Sequence, residues 1–470
     1  MTITSSTQGS RLPFLAYLNF AILFPVTFFQ NGPARLALLT AFALCLGGLA
    51  VVRRRASLPG PGHTALAPAW RMVAGCLLFG AVPAAVLFLS LGSPNKVRIW
   101  EAGVALGLVA AIVWCDTFAR RGRERLFRGI PWYGLLLVGL AFSVPLLNLA
   151  SGLLVPKLSD VATTTLDAAR ILAQGHNPYA ASLDPYGVSN AHDPAFGGYK
   201  YLPLMILLHL PLAGPLGPMA VLWVNAACVA GLCGVVWGLS RGARTGDRLI
   251  AVALLLATPE LAETALAMGY NDSIGTLLAL AAFLVRGRSA LLAGLLVGCS
   301  MSCKLMPGLV AATIVFPPDR WKSYAAGMAV GLLPTVLFLA WNPDAFIRNV
   351  LLFNLVRSPD GTSWRLFAPA WLGRVASLGA LGFWLAGSAW LAWRSRNANS
   401  STGAEGCPVR LALFVAVTLG LIMTGSTAHD DYMIWWMPAV LAIIPLEIGL
   451  GRRTGPVSYT HLTLPTKRIV

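Results

Sequence analysis

The sequence predicts an all-α polytopic membrane protein, and three observations carry that reading. Of 470 residues, 57% are hydrophobic and only 11% charged, where a soluble domain has about 25% charged residues. The mean hydropathy is +0.70. Apolar stretches of near-20 residues recur from one end to the other, the length a helix needs to cross a hydrocarbon core about 30 Å thick. A soluble enzyme, a disulfide scaffold and a disordered chain are thereby excluded. The net charge of +17, from 35 Lys/Arg against 18 Asp/Glu, is read as the loop bias that orients membrane helices rather than as a nucleic-acid surface. The 8 cysteines form no CxxC pair, so neither a disulfide framework nor a thiolate metal site is expected.

Taken in order, the apolar runs fall at 13–30, 34–52, 70–92, 100–117, 131–154, 218–239, 247–262, 273–286, 289–317, 323–341, 367–393, 410–425 and 431–449. The first four precede a loop rich in arginine (Arg120, Arg121, Arg123, Arg125, Arg128), which the positive-inside rule places in the cytoplasm together with Arg53, Arg54 and Arg55. The segment after the fifth run, 155–217, is then external. Its apolar stretch 201–213 is too short to cross comfortably and reads as a re-entrant or interfacial helix. The run 289–317 is flanked on both sides by basic loops, so it reads as two short helices breaking at Lys304 and Pro307, since proline ends or kinks a helix. Counting that hairpin as two gives about 14 crossings with both termini cytoplasmic. The organisation expected is four N-terminal crossings over 1–128, a module over 129–455 that carries the external loop, and a foreign tail over 456–470. The tail resembles the translation of a sequencing-library adaptor, and it is expected to replace the natural C-terminus.

The candidate chemistry lies in the external segments. Between 161 and 174 the long loop is compatible with a helix, which Gly175 stops before the turn Asn177, Pro178, Tyr179. Asp160 occupies the N-cap place, where an Asp that only satisfies backbone N–H groups is the plainer explanation; Asp167 lies further along. The loop closes through Tyr199, Lys200, Tyr201, Leu202 and Pro203, aromatics fit to stack on a sugar ring or to anchor the interface. A second external turn runs Gly269, Tyr270, Asn271, Asp272 and opens a helix, with Asp272 or Ser273 expected as its cap. A third patch is His429, Asp430, Asp431 and Tyr432. Three adjacent residues rarely converge on one ion, so no metal is expected there.

Lys304 lies inside an apolar hairpin, where an ionisable residue is costly and marks function unless its ammonium snorkels outward. The external loop 342–366 carries Arg348, Arg357 and Arg365 among aromatic and aliphatic residues. It suits an interfacial helix, and arginine's fork suits a lipid phosphate. A carboxylate near phosphate-binding cations on one membrane face points to transfer from a lipid-phosphate donor. The carboxylate would act as general base, and the cations would stabilise the departing phosphate.

These residues resemble a known family. Asp160 with Ala168, Ala169, Arg170, Gly175, His176, Asn177, Pro178 and Tyr179, then Tyr199, Lys200, Tyr201, Leu202 and Pro203, resembles the first external loop of GT-C-type membrane glycosyltransferases. It is most similar to the bacterial polyprenol-phosphate-mannose-dependent mannosyltransferases of glycosyltransferase family 87. The turn Gly269 to Asp272, the stretch Ala293, Gly294 … Lys304, Leu305, Met306, Pro307, and His429 to Tyr432 before Trp435 and Trp436 follow in the family's order. The resemblance implies a GT-C-like fold of about 12–14 transmembrane helices, with a large external first catalytic loop and re-entrant or interfacial helices. It implies an inverting transferase in the bacterial inner membrane, working on the external, periplasmic face. The donor would be a polyprenyl-phosphate sugar, the acceptor a lipid or glycan, and the surroundings membrane lipids, with no nucleic acid partner. Asp160 matches the family's catalytic base and Asp167 is its competitor. Asp272, Lys304, Tyr179, Tyr199, Tyr201, Arg357, Arg365, His429 and Asp430 are the candidate substrate-binding residues. No cofactor is expected, although a divalent cation is compatible with the acidic loops. Two features depart from the family's pattern: a single Asp where some relatives have an acidic pair, and four helices ahead of the core. A lipid-linked sugar flippase would bind the same headgroup and is the rival reading.

Overall fold

The computed structural model describes residues 132–183, 196–243, 245–258, 261–356, 360–361, 369–397, 406–425 and 427–453. The four crossings expected over 1–128, the tail over 456–470, and Arg357 and Arg365 lie outside these residues. The described chain is an all-α polytopic membrane protein, as its composition requires.

The elements are α1 (Trp132–Leu154), α2 (Asp160–Ala173), α3 (Pro203–Ala213), α4 (Met219–Leu239), α5 (Thr245–Leu256), a π-helical segment Leu261–Ala267, α6 (Asp272–Val285), α7 (Ala290–Cys303), α8 (Leu305–Ile314) and α9 (Trp321–Trp341). Three short helical pieces follow without a break, Pro343–Phe346, the π-helical Ile347–Leu352 and Phe353–Val356. Then come β1 (Asp360–Gly361), α10 (Ala370–Asn397), α11 (Gly406–Thr424), β2 (Thr427–Ala428), a 3-10 turn Asp430–Trp435 and α12 (Met437–Arg453). The two strands are a single parallel contact of two residues each.

Among the described residues, four helical stretches are long and apolar enough to cross a membrane: Met219–Leu239, Pro318–Trp341, Trp371–Trp393 and Cys407–Thr424. A fifth is available if α5 and the π-helical segment, bent by 58°, act as one span. Some runs counted as crossings are short for a bilayer. The run 273–286 becomes the 14-residue α6, and the run 289–317 divides into α7 and α8. At 1.5 Å per residue, 14 residues reach only about 21 Å.

The packing fixes which ends lie together. The small residues Gly294, Gly298 and Ser302 of α7 face Gly327, Gly331 and Thr335 of α9. A Cβ on Gly294 would strike the Tyr324 carbonyl, and one on Gly331 would strike that of Leu295. Ser302 Oγ donates to the Gly331 carbonyl (2.8 Å) and Thr335 Oγ1 to Ser302 Oγ (2.9 Å). Contact positions rise together along both helices, so α7 and α9 are parallel. This is the small-xxx-small seam by which membrane helices bring their backbones together. Parallel neighbours require the chain to return between them, and α8 is that return. The backbone of Gly308 packs against that of Met301, which a continuous helix would hold about 10 Å away. The break at Lys304, extended at φ −136° and ψ 117°, is therefore a hairpin tip, as expected.

The same reasoning orders the rest. Gly231 and Gly238 of α4 meet Leu277 and Leu284 of α6, so these two helices run parallel. Gly152 near the end of α1 abuts Leu266 and Ala267 at the end of the π-helical segment. Ser377 Oγ of α10 donates to the Thr424 carbonyl at the end of α11 (2.8 Å), while Gly387 meets Leu413, so this pair is antiparallel. The ends of α1, the π-helical segment, α7 and α11, and the starts of α2, α4 and α6, gather at one end of the bundle. On α9 and α10, Val330, Leu333, Val336, Leu337, Trp371, Val375, Leu378 and Trp393 are exposed, an apolar outer face that suits a bilayer.

The glycine seam is the closest helix contact, and it predicts a stability difference. Gly331→Val drives a branched side chain into the α7 backbone, and overpacking costs about 1–3 kcal/mol. Its thermal midpoint in detergent should fall by several degrees. Gly379→Ala, at a site with nothing within 4 Å, should leave the midpoint unchanged.

Candidate active site

Two loops and the hairpin tip build the site. Helix α2 starts at Asp160, but its cap is Ser159, whose Oγ accepts the Ala162 N–H (3.2 Å). The N-cap duty expected of Asp160 thus falls to the residue before it. A serine there satisfies the orphan N–H, worth about 1 kcal/mol. The Asp160 carboxylate is left exposed, with no hydrogen bond or ion pair to it among the described residues. Helix α2 ends at Gln174, followed by Gly175 at φ +81°, which is the stop its sequence announced.

The second acidic loop is fastened beside the first. The Ser159 N–H donates to the Met268 carbonyl (2.8 Å). Gly269, at φ +76°, lies where a Cβ would sit 3.0 Å from both Ala162 and Val221, so glycine is required on two counts. Asn225 of α4 is the buried tie for this turn. Its Nδ2 donates to the Ala265 and Tyr270 carbonyls (3.0 and 2.8 Å), and its Oδ1 accepts from Ser273 Oγ (3.0 Å). The cap expected at Asp272 or Ser273 is absent for that reason: Ser273 is held by Asn225, and Asp272 points elsewhere.

Asp272 is fully buried. Its Oδ1 pairs with Lys304 Nζ at 3.0 Å and accepts the Trp435 indole N–H at 2.7 Å. Its Oδ2 is buried without a hydrogen-bond partner among the described residues. Lys304 keeps about an eighth of its side chain exposed, at 12%. It reaches Asp272 because α6 carries Gly275 there: a Cβ at that place would lie 2.9 Å from Lys304 Cβ. Ser300 Oγ, donating to the Gly275 carbonyl (2.7 Å), ties α7 to α6 at the same level.

Tyr201 joins the parts. The Lys304 ammonium sits 5.0 Å from the centroid of its ring, within the range of a cation–π contact. The carboxylates of Asp160 and Asp272 and the phenols of Tyr432 and Tyr199 lie within electrostatic reach of its hydroxyl. Burial, and next the Asp160 carboxylate, push that phenol well above its ordinary value, so it stays protonated and available as a donor. Tyr432 stacks on Trp435 at 4.2 Å and 19°, and His429 meets Tyr432 edge-on at 5.6 Å. The site is therefore a carboxylate at a rim, a half-buried phenol, and an ion pair beneath, walled by two stacked aromatics.

Other candidates fall elsewhere. Tyr179 and Tyr199 are core residues, 1% and 0% exposed. The Tyr179 hydroxyl donates to the Tyr201 carbonyl (2.8 Å), and that of Tyr199 is 3.1 Å from Thr165 Oγ1. Buried and engaged, they shape the loop instead of offering a sugar-stacking face. Asn349 clips the loop's two ends, donating to the Tyr179 carbonyl (3.0 Å) and accepting from the Gly198 N–H (3.1 Å). Asp167 pairs with Arg170 at 2.8 Å on the exposed face of α2. Arg348 is exposed on the helical run after α9, which ends at Val356 within the stretch 342–366. Asp430 opens the 3-10 turn. Among the described residues no three His, Cys, Asp or Glu side chains cluster as a metal site. Sequence reasoning passed over Asn225, Ser300 and Asn349, and quoted Trp435 without a role; a polar residue in an apolar run, as at Asn225, was the available signal.

Residues 199–407 match the family model described as glycosyltransferase family 87. Over that stretch, a little under half of its length, the chain is similar to the family, which supports a GT-C-type assignment. The matched span holds Tyr201, Asp272 and Lys304, while Asp160 and Trp435 flank it. No curated protein and no solved structure matches the chain. A glycosyltransferase acts on a sugar donor and an acceptor, and the match indicates that activity for this membrane protein.

The tie at Asn225 makes a testable point about the framework. Asn225→Leu removes three hydrogen bonds and strands the buried polar groups they served, at about 1–3 kcal/mol each. Its thermal midpoint should drop by several degrees and its transferase activity should fall, although the residue lies in α4 and acts only through the backbone around the turn and through Ser273.

Proposed function

We propose that this glycosyltransferase moves a hexose, mannose by the family it resembles, from a polyprenyl-phosphate donor to a hydroxyl of a lipid or glycan acceptor, with inversion. The reaction takes place on the external face of a bacterial inner membrane. The observation that carries this reading is that one tyrosine, Tyr201, has the Lys304 ammonium 5.0 Å from its ring centroid and the exposed Asp160 carboxylate within electrostatic reach of its hydroxyl. The acceptor oxygen attacks the anomeric carbon on the face opposite the phosphate. The bond from that carbon to the phosphate oxygen breaks, and its electron pair leaves with the polyprenyl phosphate. Asp160 takes the acceptor's proton as general base. Lys304 offsets the charge that gathers on the leaving phosphate, and the protonated Tyr201 phenol nearby is a further donor for the substrates. Asp160 suits the base better than Asp167, because Asp167 is committed to Arg170.

The test is transfer by purified protein in liposomes, supplied with labelled polyprenyl-phosphate mannose and a panel of lipid and glycan acceptors. Asp160→Asn should lower transfer by at least about 100-fold, the scale of a lost general base, with an unchanged melting point. Asp167→Asn should stay within a few-fold of wild type. Lys304→Ala should raise the donor KM and, by stranding the buried Asp272 carboxylate, also lower the melting point. Full activity in Asp160→Asn moves the base to Asp167 or Asp272. Labelled lipid crossing the bilayer with no acceptor glycosylated replaces the transferase with a flippase.

A further inference from the structure

The buried carboxylate of Asp272 is more than a partner for Lys304. It sits on one oxygen between an ammonium and an indole N–H, with its second oxygen bare and sealed. A carboxylate placed only to neutralise a buried lysine would use both oxygens, because each orphaned acceptor is costly. Resting on the phosphate-lipid donor proposed above, we infer that Asp272, oriented by Trp435, sets how much of the Lys304 charge is offered to phosphate, and so lets the spent carrier leave.

The argument is one of charge. The donor is a phosphodiester with one negative charge. The released polyprenyl phosphate is a monoester, with about −1.5 to −2 at pH 7. An unshielded ammonium in a poorly solvated place would bind the product better than the donor and be inhibited by it. A fixed carboxylate 3.0 Å from that ammonium repels the extra charge and narrows the preference. Trp435 acts on the same oxygen. Its N–H shares Oδ1 with the ammonium and draws electron density from it, so the carboxylate cancels less of the Lys304 charge. Trp435 is held in turn by the stacked ring of Tyr432. Asp272 and Trp435 are thus positioning residues that work through Lys304.

Two substitutions separate this role from simple support of the fold. Asp272→Asn keeps an oxygen for the indole and removes the charge. Trp435→Phe keeps an aromatic, though smaller, ring against Tyr432 and removes the N–H. Binding of a short-chain polyprenyl phosphate and of its mannosyl ester would be measured directly on purified full-length protein, without turnover. Asp272→Asn should tighten the monoester by at least about tenfold relative to the ester. Trp435→Phe should weaken the monoester relative to the ester, the opposite sign. If Asp272→Asn does not fold, the sign of the Trp435→Phe shift decides. Loss of both ligands together in both variants, or no change in the ratio, overturns the inference while leaving the donor assignment standing. Wild-type protein that binds neither lipid overturns the donor assignment, and the inference with it.

Discussion

A lysine and an aspartate, buried together at 3.0 Å in an apolar bundle, form the contact on which this structure turns. Neither charge is tolerable alone at that depth, and removing one member of such a pair costs about 3–5 kcal/mol. The surrounding architecture reads as what is needed to bring them together. Helix α6 must present its first residue to the last turn of α7, so the two run antiparallel. Gly275 leaves room for the lysine stem. Ser300 fixes the level of one helix against the other. The chain must then double back at Lys304, and α8, only 10 residues long, does so before α9 takes up its place along the glycine seam. At the other end of α8, Arg286 Nε and Nη2 donate to the Val315 and Phe316 carbonyls, and Arg410 Nη1 to that of Ile314. Guanidinium groups there meet the carbonyls that a helix C-terminus leaves unpaired and complement its dipole.

The reactive groups sit on loops, yet little in their setting is loose. Four hydrogen bonds carry much of the arrangement: Ser159 to Met268, Asn225 to Tyr270, Asn349 to Tyr179, and Gly198 to Asn349. Each joins segments far apart in sequence, and each uses a backbone group on at least one side. The aromatic cluster of Tyr179, Tyr199, Phe338 and Phe346 then fills the space beneath the long loop. Catalytic positions on loops gain the rigidity of helices when their backbone polar groups are satisfied in this way.

Much of this was legible in the sequence where the signal is local. The start of α2 within a residue, its end at Gly175, the short α3 and the break at Lys304 all follow from turn chemistry and from the run of apolar residues. The hairpin was also demanded by the basic loops on either side of it. What could not be read was pairing. Asp160 and Asp272 each stand at a helix start, where a capping role is the economical explanation, and only the three-dimensional structure shows Ser159 and Asn225 relieving them of it. Tyr179 and Tyr199 have the composition of sugar-binding residues, but their burial is decided by what folds over them. Hydropathy ran on through the bend after α5, so 247–262 read as one run where the structure turns by 58° into the π-helical segment.

The three partners of the buried site are unequally spaced along the chain. Asp272 and Lys304 belong to consecutive helices, while Trp435 lies 163 residues beyond Asp272. A ribosome delivers them in that order. The two charges can therefore neutralise each other as soon as one hairpin has entered the bilayer, long before the last helices exist. The indole comes only with the final pair. Electrical neutrality is thus an early, local property of the growing protein, whereas the orientation that gives the carboxylate its direction belongs to the finished one. A chain interrupted before that pair would be tolerated by the membrane and still lack a finished site.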